Sequence, residues 1–119
     1  MRILVVEDDK DVAGFVIRGL KEAGHVVEHA DNGRDGLFMA ASETFDAIIL
    51  DRMLPGGIDG LTLVKEAMRA RPNMGVLCMS GYDPTQKHRK WLTVQNIEFL
   101  EKPFSSARLA QALDATLAR

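Results

Sequence analysis

Four apolar residues in a row, Ala47–Leu50, stand between two aspartates, Asp46 and Asp51, within the stretch FDAIILDRMLPGGIDG. An uninterrupted apolar run this short marks a strand buried on both faces, the environment of a parallel sheet with helices on each side. Pro55, Gly56, Gly57 and Gly60 then break regular structure before Leu61 opens a helical pattern. Asp51 is therefore expected at the carboxyl end of a stiff strand and under a loop. In open α/β sheets that edge is where ligands bind.

The rest of the chain repeats the alternation. Arg2–Val6 is a β-branched run, and Lys10–Ala23 follows with helical spacing through Val12, Phe15, Val16, Gly19, Leu20 and Ala23. Gly24 is placed to end that helix in a left-handed conformation. Val26–Ala30 reads as a second strand, and Asn32-Gly33 as the turn into a helix over Gly33–Ser42. The central strand is expected at Asp46–Leu50, and a third helix carries Leu61, Leu63, Val64, Ala67 and Met68 on one face and stops before Pro72. Gly75–Met79 is the fourth strand. A fourth helix capped by Asp83 or Thr85 runs to about Val94, Ile97–Leu100 is the fifth strand, and Ser105 or Ser106 caps a fifth helix through Leu109, Leu113 and Leu117.

Strict alternation with right-handed crossovers predicts an α/β fold: a five-stranded parallel sheet with helices on both faces. Strand order 2-1-3-4-5, the flavodoxin-like arrangement, fits this length and puts the topological switch point beside Asp51. With 119 residues and no linker, repeat or low-complexity segment, one domain over residues 1–119 is expected. A formal net charge of −2 argues against direct nucleic-acid binding. No apolar run approaches the roughly 20 residues that span a bilayer, and Cys78, alone in an apolar strand, has no internal disulfide partner. A cytoplasmic location is the expectation.

If strands one, three, four and five end on one edge, Glu7, Asp8, Asp9, Asp51, Ser80 and Lys102 converge there. Crowded carboxylates either share protons or hold a cation, and hard oxygen donors point to Mg²⁺, with Mn²⁺ as a substitute. Mg²⁺ keeps waters and recruits phosphate oxygens, so an incomplete acidic site invites a phosphoryl group. Asp51 would be its nucleophilic acceptor, with Lys102 and Ser80 meeting the oxygens left over. Taken singly, each residue has a plainer reading: Asp8 or Asp9 as a helix cap, Asp51 and Ser80-Gly81 as turn formers, Lys102 as a solvated charge, Phe99 as core. His25, His29 and His88 lack metal-binding spacing and read as surface residues, and Trp91 as packing.

These motifs, VVEDD, LDRMLPGGIDG, CMSGY and FLEKPF in that order, resemble the CheY-like receiver domain of two-component response regulators over the whole chain. The resemblance implies a phosphorylation-activated switch rather than an enzyme acting on a separate substrate. It implies Glu7 and Asp8 as the acidic pair, Asp51 as acceptor from a histidine kinase or histidine phosphotransfer protein, and the backbone carbonyl of Met53 as a further magnesium ligand. Ser80 would contact a phosphoryl oxygen, Lys102 would pair with the phosphate, and Phe99 matches the switch aromatic that remodels the face of the fourth helix, fifth strand and fifth helix. Pro103 is expected to follow a cis bond. Met53 and Tyr82 stand where receivers tune phosphate lifetime, and the Gly56-Gly57 pair lengthens the usual loop by one residue. The first half resembles receivers fused to winged-helix domains, the second half those of hybrid sensor kinases. The chain is thus either a stand-alone regulator or the receiver of a larger protein, and either a monomer or a weak homodimer.

Two rival classes fit less well. A metabolite phosphatase working through an aspartyl phosphate would want an Asp-x-Asp pair after the first strand, and Glu7-Asp8-Asp9 does not supply one. A nucleotide-binding module would want a Gly-rich phosphate loop, and the sequence has none.

Overall fold

The computed structural model describes residues 1–51, 60–81 and 97–118. Five parallel strands form one sheet in the order β2-β1-β3-β4-β5, as the alternation predicts. They are β1 (Arg2–Val6), β2 (Val26–Ala30), β3 (Ala47–Asp51), β4 (Gly75–Ser80) and β5 (Glu98–Glu101). The described helices are α1 (Lys10–Glu22), α2 (Gly33–Ser42), α3 (Gly60–Ala70) and α4 (Ser106–Leu117). The helix predicted ahead of β5, together with Met53, Tyr82, His88, Trp91 and the Gly56-Gly57 pair, lies outside the described residues.

Successive strand residues point to opposite faces, so the central strands feed two cores. On one face Leu4, Val6, Ile48, Leu50, Val76 and Cys78 pack with Ala40 of α2 and Leu63, Val64 and Ala67 of α3. On the other, Ile3, Val5, Ala47, Ile49, Leu77 and Met79 pack with Val16 and Leu20 of α1 and Leu109 and Leu113 of α4. Every residue of β3 is buried, which explains why its sequence is apolar without alternation. Burial of each large side chain contributes about 1.5–3 kcal/mol, enough in sum to make the sheet a rigid mount for groups at its ends.

The strand ends differ from the hydrophobic reading by one residue. β3 runs through Asp51, β4 through Ser80 and β5 from Glu98 to Glu101, because Asp51 pairs with Met79 and Ser80 with Glu101. Backbone pairing, not apolarity, sets these limits, and it carries polar side chains into the ladder at the carboxyl edge. At the other edge Asp46 precedes β3: its N–H donates to the Arg2 carbonyl at 2.8 Å and its carboxylate accepts from the Arg2 N–H at 2.8 Å.

Helix starts are fixed by side-chain caps. Asp9 accepts from the N–H groups of Asp11 and Val12, Asn32 from that of Asp35, and Ser105 from that of Arg108. Gly24 has a φ of +92°, the left-handed turn expected after α1. Gly36 lets α2 approach β1 closely, since a Cβ there would lie 2.8 Å from Cγ2 of Val6. The last residue of β1 is thereby pinned just before the acidic cluster begins.

Candidate functional site

The carboxyl edge of the sheet collects the chemistry. Glu7 directly follows β1, and its N–H still donates to the Ala30 carbonyl at 3.0 Å, so the fully buried side chain leaves a fixed backbone. Asp51 ends β3 and is buried, and Ser80 ends β4 and is fully buried. Lys102 follows β5, where its N–H donates to the Ser80 carbonyl at 2.7 Å. That bond ties the lysine backbone to the end of β4 and aims the side chain back across the sheet. Its Nζ lies 2.7 Å from Oδ2 of Asp51 and 2.9 Å from Oε1 of Glu7.

Asp8 joins the two buried acids from the solvent side. One oxygen each from Glu7, Asp8 and Asp51 lies within 4.8 Å of the others. Asp9 stays outside this group as the α1 cap, which divides the labour among the three consecutive acids. Burial and the neighbouring Asp51 push the Glu7 carboxyl up to about 8, although Lys102 draws it down. Burial alone would lower the Lys102 ammonium, but its bonds to Asp51 and Glu7 outweigh that and hold it above its ordinary value.

The donors present fit a hard divalent cation. Among the described residues Oε2 of Glu7 is buried without a hydrogen-bond partner, an arrangement that costs free energy until a proton or a cation meets it. All-oxygen carboxylate donors match Mg²⁺ or Mn²⁺ rather than a soft metal.

Ser80 and Phe99 share one face of the sheet. Cys78 pairs with Phe99, both belong to the same core, and Ser80 lies two residues beyond Cys78. The Lys102–Pro103 peptide is cis. Phe104 packs edge-on against Phe15, with centroids 5.9 Å apart, and a cleft of about 470 Å³ opens between α1 and this loop beside Lys102.

One residue of the site has no local sequence signal. His29 is exposed, as its reading as a surface residue expects, and places Nε2 2.9 Å from the Glu7 carbonyl oxygen. Only the β1–β2 register, with Val5 opposite His29, brings them together.

The family model described as the response regulator receiver domain matches residues 3–114. The chain belongs to this family. Receivers are the regulated modules of two-component signalling, and this one is 36% identical over its full length to the probable transcriptional regulatory protein SilR of Salmonella typhimurium. It is 35% identical over 98% of its length to the transcriptional regulatory protein HprR of Escherichia coli. The chain spans about half the length of these curated relatives, 52% in each case. Among solved structures, a CheY-like receiver domain protein from Methanospirillum hungatei superposes with a TM-score of 0.89 at 25% identity, covering 98% of this receiver and 93% of that chain. Chemotaxis response regulator CheY4 of Vibrio cholerae gives 0.86 at 27% identity, with 98% of each chain covered. Among the described residues no helix is long and apolar enough to cross a membrane.

Proposed function

We propose that this receiver accepts a phosphoryl group on Asp51 from a phosphohistidine, on a histidine kinase or histidine phosphotransfer protein, and acts as a regulatory switch rather than an enzyme for a separate substrate. The observation that carries this is the meeting of Glu7, Asp8 and Asp51 oxygens within 4.8 Å, with Lys102 Nζ 2.7 Å from the acceptor. Glu7, Asp8 and Asp51, joined by the Met53 backbone carbonyl that the family resemblance implies, would hold Mg²⁺ or Mn²⁺. When bound, that cation supplies charge neutralisation to the phosphoryl oxygens.

In the transfer, an Oδ of Asp51 forms a bond to phosphorus as the P–N bond of the donor breaks, and the electron pair leaves on the imidazole nitrogen. Lys102, already bonded to Asp51, is in position to follow the charge onto the phosphoryl group. The buried hydroxyl of Ser80 meets a further oxygen. Its inward movement opens space on the face it shares with Phe99, so rotation of that ring would remodel the surface of β5, α4 and the helix predicted ahead of β5. Moving a two-state equilibrium from 1:99 to 99:1 takes about 5.5 kcal/mol, which three charge-assisted hydrogen bonds of about 2 kcal/mol each would supply. The names of the relatives favour transcriptional control as the output, and Met53 and Tyr82 are the positions we assign to tuning phosphate lifetime.

The test is incubation with Mg²⁺ and acetyl phosphate. Wild-type protein is expected to gain one hydroxylamine-labile phosphoryl group, and Asp51→Asn none. Labelling that persists in Asp51→Asn, or catalytic turnover of a phosphorylated metabolite, would overturn the reading.

A further inference from the structure

We propose that His29 is a positioning residue for the acidic pair Glu7 and Asp8, an inference that rests on reading those acids as part of a divalent-cation site. β1 and β2 pair in parallel through Val5–His29 and Val6–Ala30. One step beyond the ladder, the Glu7 N–H donates to the Ala30 carbonyl at 3.0 Å, and the Glu7 carbonyl accepts from His29 Nε2–H at 2.9 Å. Adjacent residues of a single strand therefore hold both polar groups of the Glu7 backbone. In a longer parallel ladder an amide of the neighbouring strand would serve that carbonyl. Here β2 ends at Ala30, and the imidazole serves that carbonyl instead.

The carbonyl that His29 holds belongs to the peptide joining Glu7 to Asp8. Because that unit is planar, fixing its oxygen fixes the direction in which the chain leaves toward Asp8. Asp8 is exposed, and Asp9 is committed to the α1 cap. The Glu7–Asp8 peptide is thus the short link between a rigid strand and a capped helix, and its orientation decides whether the Asp8 carboxylate stays near those of Glu7 and Asp51. A carbonyl oxygen can only accept, so the His29 ring must carry a proton on Nε2. Groups that orient ligands from behind tune cation affinity without touching the ion.

Isothermal titration of Mg²⁺ into metal-free wild-type, His29→Leu and His29→Gln proteins tests this, with circular dichroism as the check on folding. His29→Leu is expected to bind Mg²⁺ about threefold to tenfold more weakly, and His29→Gln, which keeps an N–H donor, to recover most of the loss. Nitrogen-15 spectra of the wild-type ring at pH 8 should show the proton on Nε2. Equal affinity in wild-type and His29→Leu overturns the inference and leaves the cation reading standing. Absence of Mg²⁺ binding by wild-type protein removes both. Should His29→Leu fail to fold, the glutamine variant and the tautomer decide, and a proton on Nδ1 with Nε2 bare overturns the proposal.

Discussion

At the amino edge of the sheet Arg2 lies against two carboxylates, paired with Glu43 and 3.8 Å from Glu28, while at the carboxyl edge Lys102 lies against Glu7 and Asp51. Both are one cation between two acids, but their surroundings differ. Glu43 and Glu28 reach water, and Arg2 has further support from the Thr44 carbonyl at 3.1 Å and the Phe45 ring 4.6 Å below its guanidinium. Glu7 and Asp51 are buried, and one Glu7 oxygen is left over. Solvent screens the first triad, so its members contribute little individually and tolerate loss. Burial makes the second costly to maintain and therefore sensitive to any charge that enters or leaves. One cation between two acids is a solvent-screened cluster at one end and a responsive site at the other.

Removing the half-buried cation is the strongest way to break that contrast. Lys102→Met keeps most of the side-chain volume but leaves the buried Asp51 carboxylate beside Glu7 without its cation. The expected loss in metal-free protein at pH 8 is about 3 kcal/mol of unfolding free energy by urea titration. At pH 5 the loss should be smaller, because Glu7 then carries a proton. An equal loss at both pH values would mean that Lys102 stabilises this edge without regard to the charge on Glu7.

Glu7 sharpens the comparison by its own titration. Its carboxyl is pushed from 4.5 to about 8, so between those values the folded protein keeps a proton that the unfolded chain has released. Stability of the metal-free protein should therefore fall as pH rises from about 4.5 to about 8 and level off beyond. Glu7→Gln copies the protonated form. It is expected to match wild-type near pH 4.5 and to exceed it by about 1–3 kcal/mol at pH 8, with a flat profile between. A wild-type profile that rises across this window would contradict the burial argument.

These residues also show what the sequence could disclose. The two-faced burial of the central strands leaves no polar slots, so the runs through Leu4, Ile48 and Leu77 announce themselves as strands. The acids and Lys102 were legible by position, since residues that directly follow such runs fall on one edge of a parallel sheet. What stayed hidden depends on pairing across the fold. Asp51, Ser80 and Glu101 belong to the ladder although they are polar, because a neighbouring backbone extends it. Lys102 reaches both buried acids because its own N–H is held by Ser80, and His29 reaches Glu7 through strand register. No spacing within a single segment encodes either contact.

The smallest expected effect lies at the wet end. Arg2→Ala removes two exposed ion pairs, a bond to the Thr44 carbonyl and a cation–π contact. The Arg2 backbone, however, stays in β1 and keeps its bonds with Asp46. The unfolding midpoint should therefore drop by no more than about 4 °C. Glu28 and Glu43 remain solvated when the arginine is gone, so the drop should stay nearly constant from pH 5 to pH 8 and shrink in molar salt, where exposed charges are screened. Lys102→Met should show the reverse: strong pH dependence and weak salt dependence. Thermal scans of both variants at two pH values and two salt concentrations place the triads on one scale, and a pH-dependent, salt-insensitive loss from Arg2→Ala would show that burial is not what separates the two ends of this sheet.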